Sequence, residues 1–340
     1  MPHRTFFWFI LPSALAMLLF IALPIVSVLM QSLYTEHEQV VREVESCSVF
    51  NCTTQLMVDN EATEKLYDEA PLGRFVGLSN YFNRAHLATT EVAEAWNTSA
   101  GLSDFFSNIY NLPFYRALAF TLSYTFIVTP LVIILGFTIA VAVNTLSSAL
   151  KGPVIFFTLL PMIVTPLVGS LILFWMIDAR GIIGASLQWM FDNPDLSLKA
   201  SSGLTWIMLF VYGVWHSAPF AFVVFYAGLQ TVPQDTLESA MIDGATRWER
   251  IRYVIIPYLA PLMVFVALIQ LMDNFRVFEP LVSFNAGAHA TSLSIIIYND
   301  MNQDTKLLNS AATTSMLTVL GVAILLTPVL IRTWRDFNRK

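Results

Sequence analysis

The stretch that decides the fold runs from residue 238 to residue 257. It reads Glu238-Ser239-Ala240, three residues, Gly244, nine residues, Val254, one residue and Ile256-Pro257. The stretch is rich in polar residues and basic towards its end, where it carries Arg247, Arg250 and Arg252. Strongly apolar segments flank it on both sides. We therefore expect a loop at a membrane surface.

The composition of the whole chain is typical of a membrane protein. Of its 340 residues, 56% are hydrophobic and only 12% are charged, whereas soluble domains carry roughly a quarter charged residues. The net charge of −6 is uneven, because residues 34–115 hold twelve Asp and Glu against four Lys and Arg. We expect this stretch to be an acidic soluble insert. The sequence has no basic stripe with interleaved aromatic residues, so nucleic acid is not an expected partner.

Six stretches are long and apolar enough to cross about 30 Å of hydrocarbon as helices. They cover roughly residues 6–33, 116–145, 154–177, 204–230, 258–281 and 311–332. The first has 28 residues, longer than the apolar part of a cleaved signal peptide, and is expected to remain as a helix. The predicted fold is all-α, with four parts: a first transmembrane helix at 1–33, the insert at 34–115, a five-helix core at 116–332 and a tail at 333–340.

Lys and Arg predict the orientation, because short cytoplasmic loops collect them. With both termini inside, the inner face holds Arg4, Lys151, Arg247, Arg250, Arg252, Arg332, Arg335, Arg339 and Lys340. The short outer loops then keep only Arg180, Lys199 and Lys306. Both termini are therefore expected in the cytoplasm and the insert outside it. There Cys47 and Cys52 could form a disulfide worth about 2 kcal/mol, with two free thiols as the alternative.

The polar stretch has the chemistry of a surface that binds a protein partner. Taken as one helix, residues 236–252 place an apolar ridge within about 60° of one direction. The ridge consists of Leu237, Ala240, Met241, Gly244, Trp248 and Ile251, and it suits insertion into a groove. Gly244 also permits a bend between two helices, and Asp243 can pair with Arg247 four residues on. The alternative is a membrane-anchoring helix, but anchors favour Lys and Arg on the polar face, and here Glu, Asp and Arg are mixed.

The spacing from Glu238 to Pro257 resembles the "EAA" motif of permease subunits of binding-protein-dependent ABC importers. That motif reads Glu-Ala-Ala, three residues, Gly, nine residues, Ile, one residue and Leu-Pro. Ser239 stands for its second Ala, Val254 for its Ile and Ile256 for its Leu, and Asp243-Gly244-Ala245 also fits. A Gly-Leu-x-Asn-Tyr string at residues 77–81 resembles a segment that many carbohydrate-type members carry after their first helix.

The resemblance implies a type I ABC importer permease fold in the bacterial inner membrane, of the maltose or glycerol-phosphate type. It implies that residues 231–257 form a cytoplasmic coupling loop, with Glu238, Ser239, Ala240, Asp243, Gly244, Ala245 and Pro257 as the coupling residues. It implies four further subunits: a second permease that completes a heterodimer, two ATPases that bind ATP and Mg, and a periplasmic solute-binding protein. The chain itself is expected to be no enzyme and to hold neither cofactor nor metal, because it contains no G-x-x-x-x-G-K-[ST] phosphate loop.

Polar side chains inside the apolar segments mark the expected solute pathway, because such groups usually face a water-filled cavity or a partner. The candidates are Trp215, His216, Tyr226 and Gln230 in the fourth segment and Asp273 and Asn274 in the fifth. His216 has helix packing as its alternative role, and Asp273 and Asn274 have an interfacial one. Arg276 and Glu279 are expected to be interfacial pairs beyond a helix that ends near residue 275.

The expected function is therefore one half of an ATP-driven import pathway for a sugar or a related polyhydroxylated solute. A stand-alone secondary transporter or channel is the alternative, although the paired broken helices of such transporters are not visible in the sequence. An intramembrane enzyme is disfavoured, because the chain lacks H-E-x-x-H and G-x-S-x-G.

Overall fold

The computed structural model describes residues 3–37, 40–48, 51–199, 201–303 and 306–338. The chain divides into two compact units. The first consists of Met1–Tyr115 and Ile296–Val319, and the second consists of Arg116–Ile295 and Leu320–Lys340.

The first unit begins with a long apolar helix. It is built from α1 (His3–Met17), a π-helical turn (Leu18–Ala22) and α2 (Leu23–Gln31). The side chains of residues 6–27 are all exposed. Because these side chains are apolar, the helix is suited to a lipid environment, where its backbone groups are satisfied internally.

The acidic insert combines two small antiparallel sheets with short helices. Its elements are β1 (Tyr34–Thr35), β2 (Val41–Ser48), β3 (Asn51–Val58), α3 (Asn60–Glu69), β4 (Arg74–Phe75), α4 (Ser79–Phe82), α5 (Thr89–Thr98) and α6 (Leu102–Tyr110). β1 pairs with β4. β2 pairs with β3 in a register that sets Cys47 opposite Cys52. Opposed residues of antiparallel strands lie at a backbone separation that a disulfide can bridge, and the bridge itself stays a prediction.

The Gly-Leu-x-Asn-Tyr string has a structural role in this unit. Asn80 donates from Nδ2 to the carbonyl oxygen of Ser32 over 3.2 Å and also to that of Tyr34. The hydroxyl of Tyr81 shares a 2.7 Å hydrogen bond with that of Ser32. The string therefore fixes α4 to the end of the first membrane helix, at main-chain carbonyls that the helix end leaves without intrahelical partners.

The remaining helices follow in chain order, most of them in the second unit. They are α7 (Pro113–Asn144), α8 (Ser148–Ile163), α9 (Pro166–Met176), α10 (Ile182–Met190), α11 (Ser202–Leu229), α12 (Gln234–Ile242), α13 (Arg247–Arg250), a π-helical turn (Ile251–Ile255), α14 (Ile256–Phe275), α15 (Glu279–Ser283), a 3₁₀ turn (Ala286–Ala288), α16 (Leu293–Asn302) and α17 (Leu308–Asn338).

Small residues let the helices of the second unit pack closely. A Cβ added to Gly136 of α7 would lie 2.6 Å from Cβ of Ala221 in α11. One added to Gly228 of α11 would lie 2.7 Å from Leu259 of α14. Without a hydrophobic driving force between helices in lipid, such close van der Waals contact is a main source of helix association.

The described residues contain five helices able to cross a membrane, or six when the bent pair of α8 and α9 counts as one span. The third span predicted at 154–177 corresponds to this bent pair, Ser148–Ile163 and Pro166–Met176. Its two helices meet at an angle of 96°, with a break at Val164 and Thr165. The residue before a proline is driven out of the helical region, and Thr165, before Pro166, has ψ 147°.

The fifth span also differs from its prediction. It runs from Arg247 to Phe275 as α13, the π-helical turn and α14, whereas residues 258–281 were expected. Pro257 lies at the first positions of α14, directly after the π-helical turn. A proline has no N–H to donate to a helix, and the hydrogen-bond pattern of the helix already changes at the π-helical turn. The expected helix end near residue 275 is confirmed, because α14 ends at Phe275.

Candidate functional site

The EAA-like stretch folds into two helices joined by a tight turn, α12 and α13. Gly244 adopts φ +80°, a left-handed conformation that glycine takes without a steric penalty. Its N–H donates to the carbonyl of Met241 over 3.1 Å, and the N–H of Ala245 donates to that of Ala240 over 2.9 Å. These bonds close the end of α12 in the manner of a glycine C-cap.

The next helix begins two residues after Gly244 with a capping box. The hydroxyl of Thr246 accepts from the N–H of Glu249 over 3.3 Å, and the Glu249 carboxylate accepts from the N–H of Thr246 over 2.7 Å. Two local stop and start signals thus lie within six residues. The single helix expected over 236–252 is therefore wrong, and Trp248 and Ile251 belong to a different helix from Leu237 and Ala240.

We call residues 234–250 the coupling elbow. Among its predicted coupling residues, Glu238, Ser239, Asp243 and Gly244 are exposed and Ala240 and Ala245 are half-buried. Large apolar side chains are exposed beside them, with Ile242 at 87% and Trp248 at 68%. In the part of the chain that the structure describes, no ion pair joins Asp243 to Arg247. The elbow thus presents apolar and charged groups together, as surfaces that bind another protein do.

A polar cavity lies in the same unit, at the other end of α14. Its volume is about 450 Å³, and it is lined by Tyr124, Pro166, His216, Ser217, Asp273, Asn274, Arg276, Val277, Phe278, Glu279 and Pro280. These residues come from α7, α9, α11, α14 and the segment that leads into α15. Four parts of the chain that are distant in sequence, namely α7, α9, α11 and residues 273–280 from the end of α14 to the start of α15, therefore form the cavity wall.

Two side chains at the end of α14 play different parts in the cavity. Asn274 is buried and donates to the hydroxyl of Thr129 in α7 over 3.0 Å. Asp273 is half exposed and accepts from Arg276 over 3.1 Å. The amide therefore holds α14 against α7, because a buried amide needs a partner, while the ion pair faces the open space.

His216 contacts the break between α8 and α9 and also lines the cavity. Its Nδ1 donates to the carbonyl of Pro161 over 3.0 Å, and Tyr212 donates to the carbonyl of Pro166 over 2.8 Å. Pro161 lies in the last turn of α8, where carbonyls have no intrahelical partner, whereas Pro166 begins α9 and its carbonyl also accepts from the hydroxyl of Ser170 over 2.7 Å. The helix-packing role considered for His216 is thus present, and the same side chain lines the cavity.

The structure brings together three of the six predicted pathway residues, namely His216, Asp273 and Asn274. Trp215 instead lines an apolar groove with Leu131 and Val211. Tyr226 stacks on Phe222 with ring centroids 5.7 Å apart. Gln230 donates to Asn144 over 3.1 Å at the end of α11.

Four polar lining residues were not among the predicted pathway residues, namely Tyr124, Ser217, Arg276 and Glu279. The three-residue spacing of Asp273, Arg276 and Glu279 was visible in the sequence, but the last two were assigned to an interface. Tyr124 gave no signal, because a tyrosine in an apolar helix equally suits packing. A cavity with carboxylates, an amide, a guanidinium and aromatic rings can hydrogen-bond a solute that carries many hydroxyl groups.

Comparison with known families identifies the family of the chain. Residues 106–336 match the family described as "Binding-protein-dependent transport system inner membrane component". The chain belongs to this family. It is a multi-pass membrane protein and a permease component, and the matched range contains both the coupling elbow and the polar cavity.

Curated relatives and solved structures agree with this assignment. The chain is 26% identical over 274 residues to the trehalose/maltose transport system permease protein MalF of Thermococcus litoralis, over 72% of this chain and 88% of that one. It is 28% identical over 236 residues to the trehalose transport system permease protein SugA of Mycobacterium tuberculosis, over 68% of this chain and 72% of that one.

The fold is similar to that of a chain in a bacterial ABC transporter that imports the acidic polysaccharide alginate. The TM-score is 0.59 at 18% identity, over 81% of this chain and 96% of that one. A second structure of the alginate transporter, with an alginate pentasaccharide-bound periplasmic protein, gives a TM-score of 0.57 at 18% identity, over 79% and 93% of the two chains. At this identity the similarity establishes the type I importer permease fold.

Proposed function

We propose that this chain forms one half of the pathway of an ATP-driven importer for a sugar or a related polyhydroxylated solute. A second permease subunit would supply the other half of the pathway. Two ATPase subunits would bind ATP and Mg, and a periplasmic binding protein would deliver the solute. Membership of the importer family supports this assembly, as does the alginate transporter complex, which includes such a periplasmic protein.

The connection between the elbow and the cavity carries the proposal. One continuous helical rod runs from Arg247 in the elbow to Phe275 at the cavity, and 29 residues of helix span about 43 Å. Asp273 and Asn274 lie in its last turn. Because a rod transmits displacement along its length, a movement of Trp248 and its neighbours at one end shifts the cavity wall at the other.

The proposed mechanism uses this helical rod as a lever. Closure of the ATPase pair on ATP draws the coupling elbow with it, and the rod then moves the Asp273 and Asn274 end relative to α7 and α11. The cavity thereby changes the side of the membrane to which it opens, and hydrolysis reverses the movement. The elbow acts in the cytoplasm in this scheme, so both termini are cytoplasmic and the acidic insert lies outside.

The solute class is supported by the cavity and by the relatives. Two of these relatives are permeases for trehalose or maltose. Hydroxyl groups of a saccharide can donate to Asp273 and Glu279 and accept from Arg276, since these groups line one space. Aromatic rings such as Tyr124 offer apolar faces to the C–H side of a sugar ring.

The test is affinity purification of the tagged chain from membranes, with bound subunits identified by mass spectrometry. Glu238→Arg reverses a charge on the elbow, and Glu94→Arg is the matched control, because it reverses a charge on an exposed position of α5. We expect the wild type and Glu94→Arg to retain an ATPase and a second permease. We expect Glu238→Arg to retain the second permease and to lose the ATPase.

The opposite result points to the alternative function. If the wild-type chain purifies alone and transports solute in vesicles without an ATPase, it is a secondary transporter or a channel. If Glu238→Arg keeps its ATPase and its ATP-driven uptake, the elbow is not the coupling surface.

A further inference from the structure

The hairpin formed by α5 and α6 carries an amphipathic helix that the import mechanism does not use. In α6, apolar residues recur with the spacing of one helix face: Leu102, Phe105, Phe106, Ile109 and Tyr110. The polar residues lie between them: Ser103, Asp104, Ser107 and Asn108. The helix therefore has one apolar face and one polar face along its whole length.

Part of the apolar face is covered from within the hairpin. Phe105 packs edge-to-face on Trp96 of α5, with ring centroids 5.1 Å apart. On the polar side, Asn108 donates to the hydroxyl of Ser99 over 3.2 Å. The two helices are thus held together by an aromatic contact and a polar contact, and the orientation of α6 within the hairpin is fixed.

The rest of the apolar face is uncovered. Leu102 is 67% exposed and Phe106 is 65% exposed, and the outer side of Trp96 is exposed as well. Large apolar groups that are gathered on one side of a helix, with polar groups opposite, indicate a surface that another phase or a partner covers.

The hairpin is fastened to the end of a membrane span. Only Asn111 and Leu112 separate α6 from α7. The hydroxyl of Tyr115, in the first turn of α7, donates to the carbonyl of Leu87 over 2.9 Å. A cavity of about 370 Å³ lies between the hairpin and this turn, with Trp96 and Phe105 among its lining residues. The hairpin therefore lies beside the first turn of α7, at one end of the span Pro113–Asn144.

We propose that the apolar face of α6 is inserted into the lipid–water interface and anchors the acidic insert to the bilayer. Aromatic residues suit this interface, where apolar rings meet the acyl chains and polar groups stay hydrated, while the polar face of α6 lacks the Lys and Arg that many interfacial helices carry. No Lys or Arg occurs in residues 85–115. The attachment therefore comes from burial of Leu102, Phe106 and Tyr110, and it does not depend on anionic head groups. It requires only that α7 spans a membrane.

The test uses fluorescent labels on single cysteines in a Cys47→Ser, Cys52→Ser background. The full-length chain is reconstituted in phosphatidylcholine vesicles with the subunits that co-purify with it. Leu102→Cys and Phe106→Cys label the apolar face, and Ser103→Cys and Ser107→Cys are matched controls on the polar face. Two quenchers are compared: a nitroxide near the top of the lipid acyl chain and iodide in water.

We expect the labels at 102 and 106 to be quenched by the lipid nitroxide and protected from iodide, with the reverse pattern at 103 and 107. We expect the same pattern when part of the phosphatidylcholine is replaced by phosphatidylglycerol. Uptake by each labelled protein shows that it is folded.

Two outcomes would overturn the proposal. If iodide reaches all four labels equally, the face of α6 lies in water. If the labels at 102 and 106 are protected from both quenchers, a protein covers the face, whether the second permease, the binding protein or another copy of this chain.

Discussion

The coupling elbow and the polar cavity lie at opposite ends of one helical rod and are stabilised in opposite ways. The elbow is formed by neighbours in sequence, because each capping hydrogen bond of Gly244, Thr246 and Glu249 joins residues three positions apart. The cavity is formed by partners distant in sequence, such as Asn274 and Thr129, 145 residues apart. A structure that is held by local hydrogen bonds can form at an exposed surface. A polar cavity in a membrane protein, by contrast, is stable only when its buried polar groups have partners.

The comparison implies that substitutions at the two sites fail in different ways. A change at a buried group of the cavity, such as Asn274, should lower the stability of the fold, because it leaves another buried polar group without its partner. A change in the elbow should lower coupling and leave the stability of the fold largely intact, because its side chains are exposed and make few long-range contacts.

The largest loss of stability is expected for Asn274→Leu. The change leaves the hydroxyl of Thr129 without its donor, and an unsatisfied buried polar group costs about 1–3 kcal/mol. Thermal unfolding in detergent should show this loss. Thr129→Val is the matched variant, and the double variant should lose less than the sum of the two single losses. Fully additive losses would mean that the hydrogen bond does not stabilise the packing of α7 on α14.

Gly244→Ala should uncouple transport from ATP hydrolysis. A left-handed residue other than glycine is strained by about 1–2 kcal/mol, which corresponds to about tenfold weaker formation of the bent elbow. ATP-driven uptake in vesicles measures the effect. Gly152→Ala is the control, because an added Cβ meets open space at both glycines and only Gly244 has a positive φ. Equal uptake by the two variants would show that the bend is not needed.

A buried polar group outside the membrane spans extends the comparison to pH. His86 lies within 3.2 Å of the Ser310 carbonyl and 2.8 Å of Asn83 Oδ1. Burial lowers the pKa of His86, although the Ser310 carbonyl, Asp300 and Glu36 act against this shift. Burial also raises the pKa of Asp300.

Because burial in the folded state lowers the pKa of His86 and so disfavours its charged form, its contribution is present above the unfolded pKa of about 6.5 and is lost as the pH falls below it. The pKa shift of Asp300 acts in the opposite direction, so the comparison uses an Asp300→Asn background. We expect the melting temperature to fall more between about pH 8 and pH 5.5 with His86 present than in the His86→Gln variant. Parallel curves would mean that His86 titrates alike in both states.

The smallest loss of stability is expected for Asp273→Asn. Its ion pair with Arg276 is half exposed, and exposed pairs contribute about 0–1 kcal/mol. Thermal unfolding should therefore barely change, while the KM for uptake rises because a carboxylate that accepts from solute hydroxyls is removed. Glu94→Gln, at an exposed position of α5, is the control for the charge change. A large loss of stability with unchanged KM would make Asp273 a structural residue.

The sequence by itself determined the fold class, most of the membrane spans and the family resemblance of the stretch from Glu238 to Pro257. These signals are local: a run of about 20 apolar residues has to cross the bilayer as a helix, and the glycine spacing from Glu238 to Pro257 belongs to one short segment. The end of α14 was indicated only in part: Asp273 to Glu279 interrupts the apolar run, but the segment itself was predicted to extend to residue 281.

Only the tertiary structure decided which polar side chains face one another. Trp215 and His216 are adjacent in sequence, yet the first lines an apolar groove and the second lines the cavity, because neighbouring residues point about 100° apart on a helix. Tyr124 lines the cavity because α7 packs on α11. The angle between α8 and α9 was equally inaccessible, since Pro166 permits a break but the hydrogen bonds from α11 to the carbonyls of Pro161 and Pro166, one on each side of the break, form only in the tertiary structure.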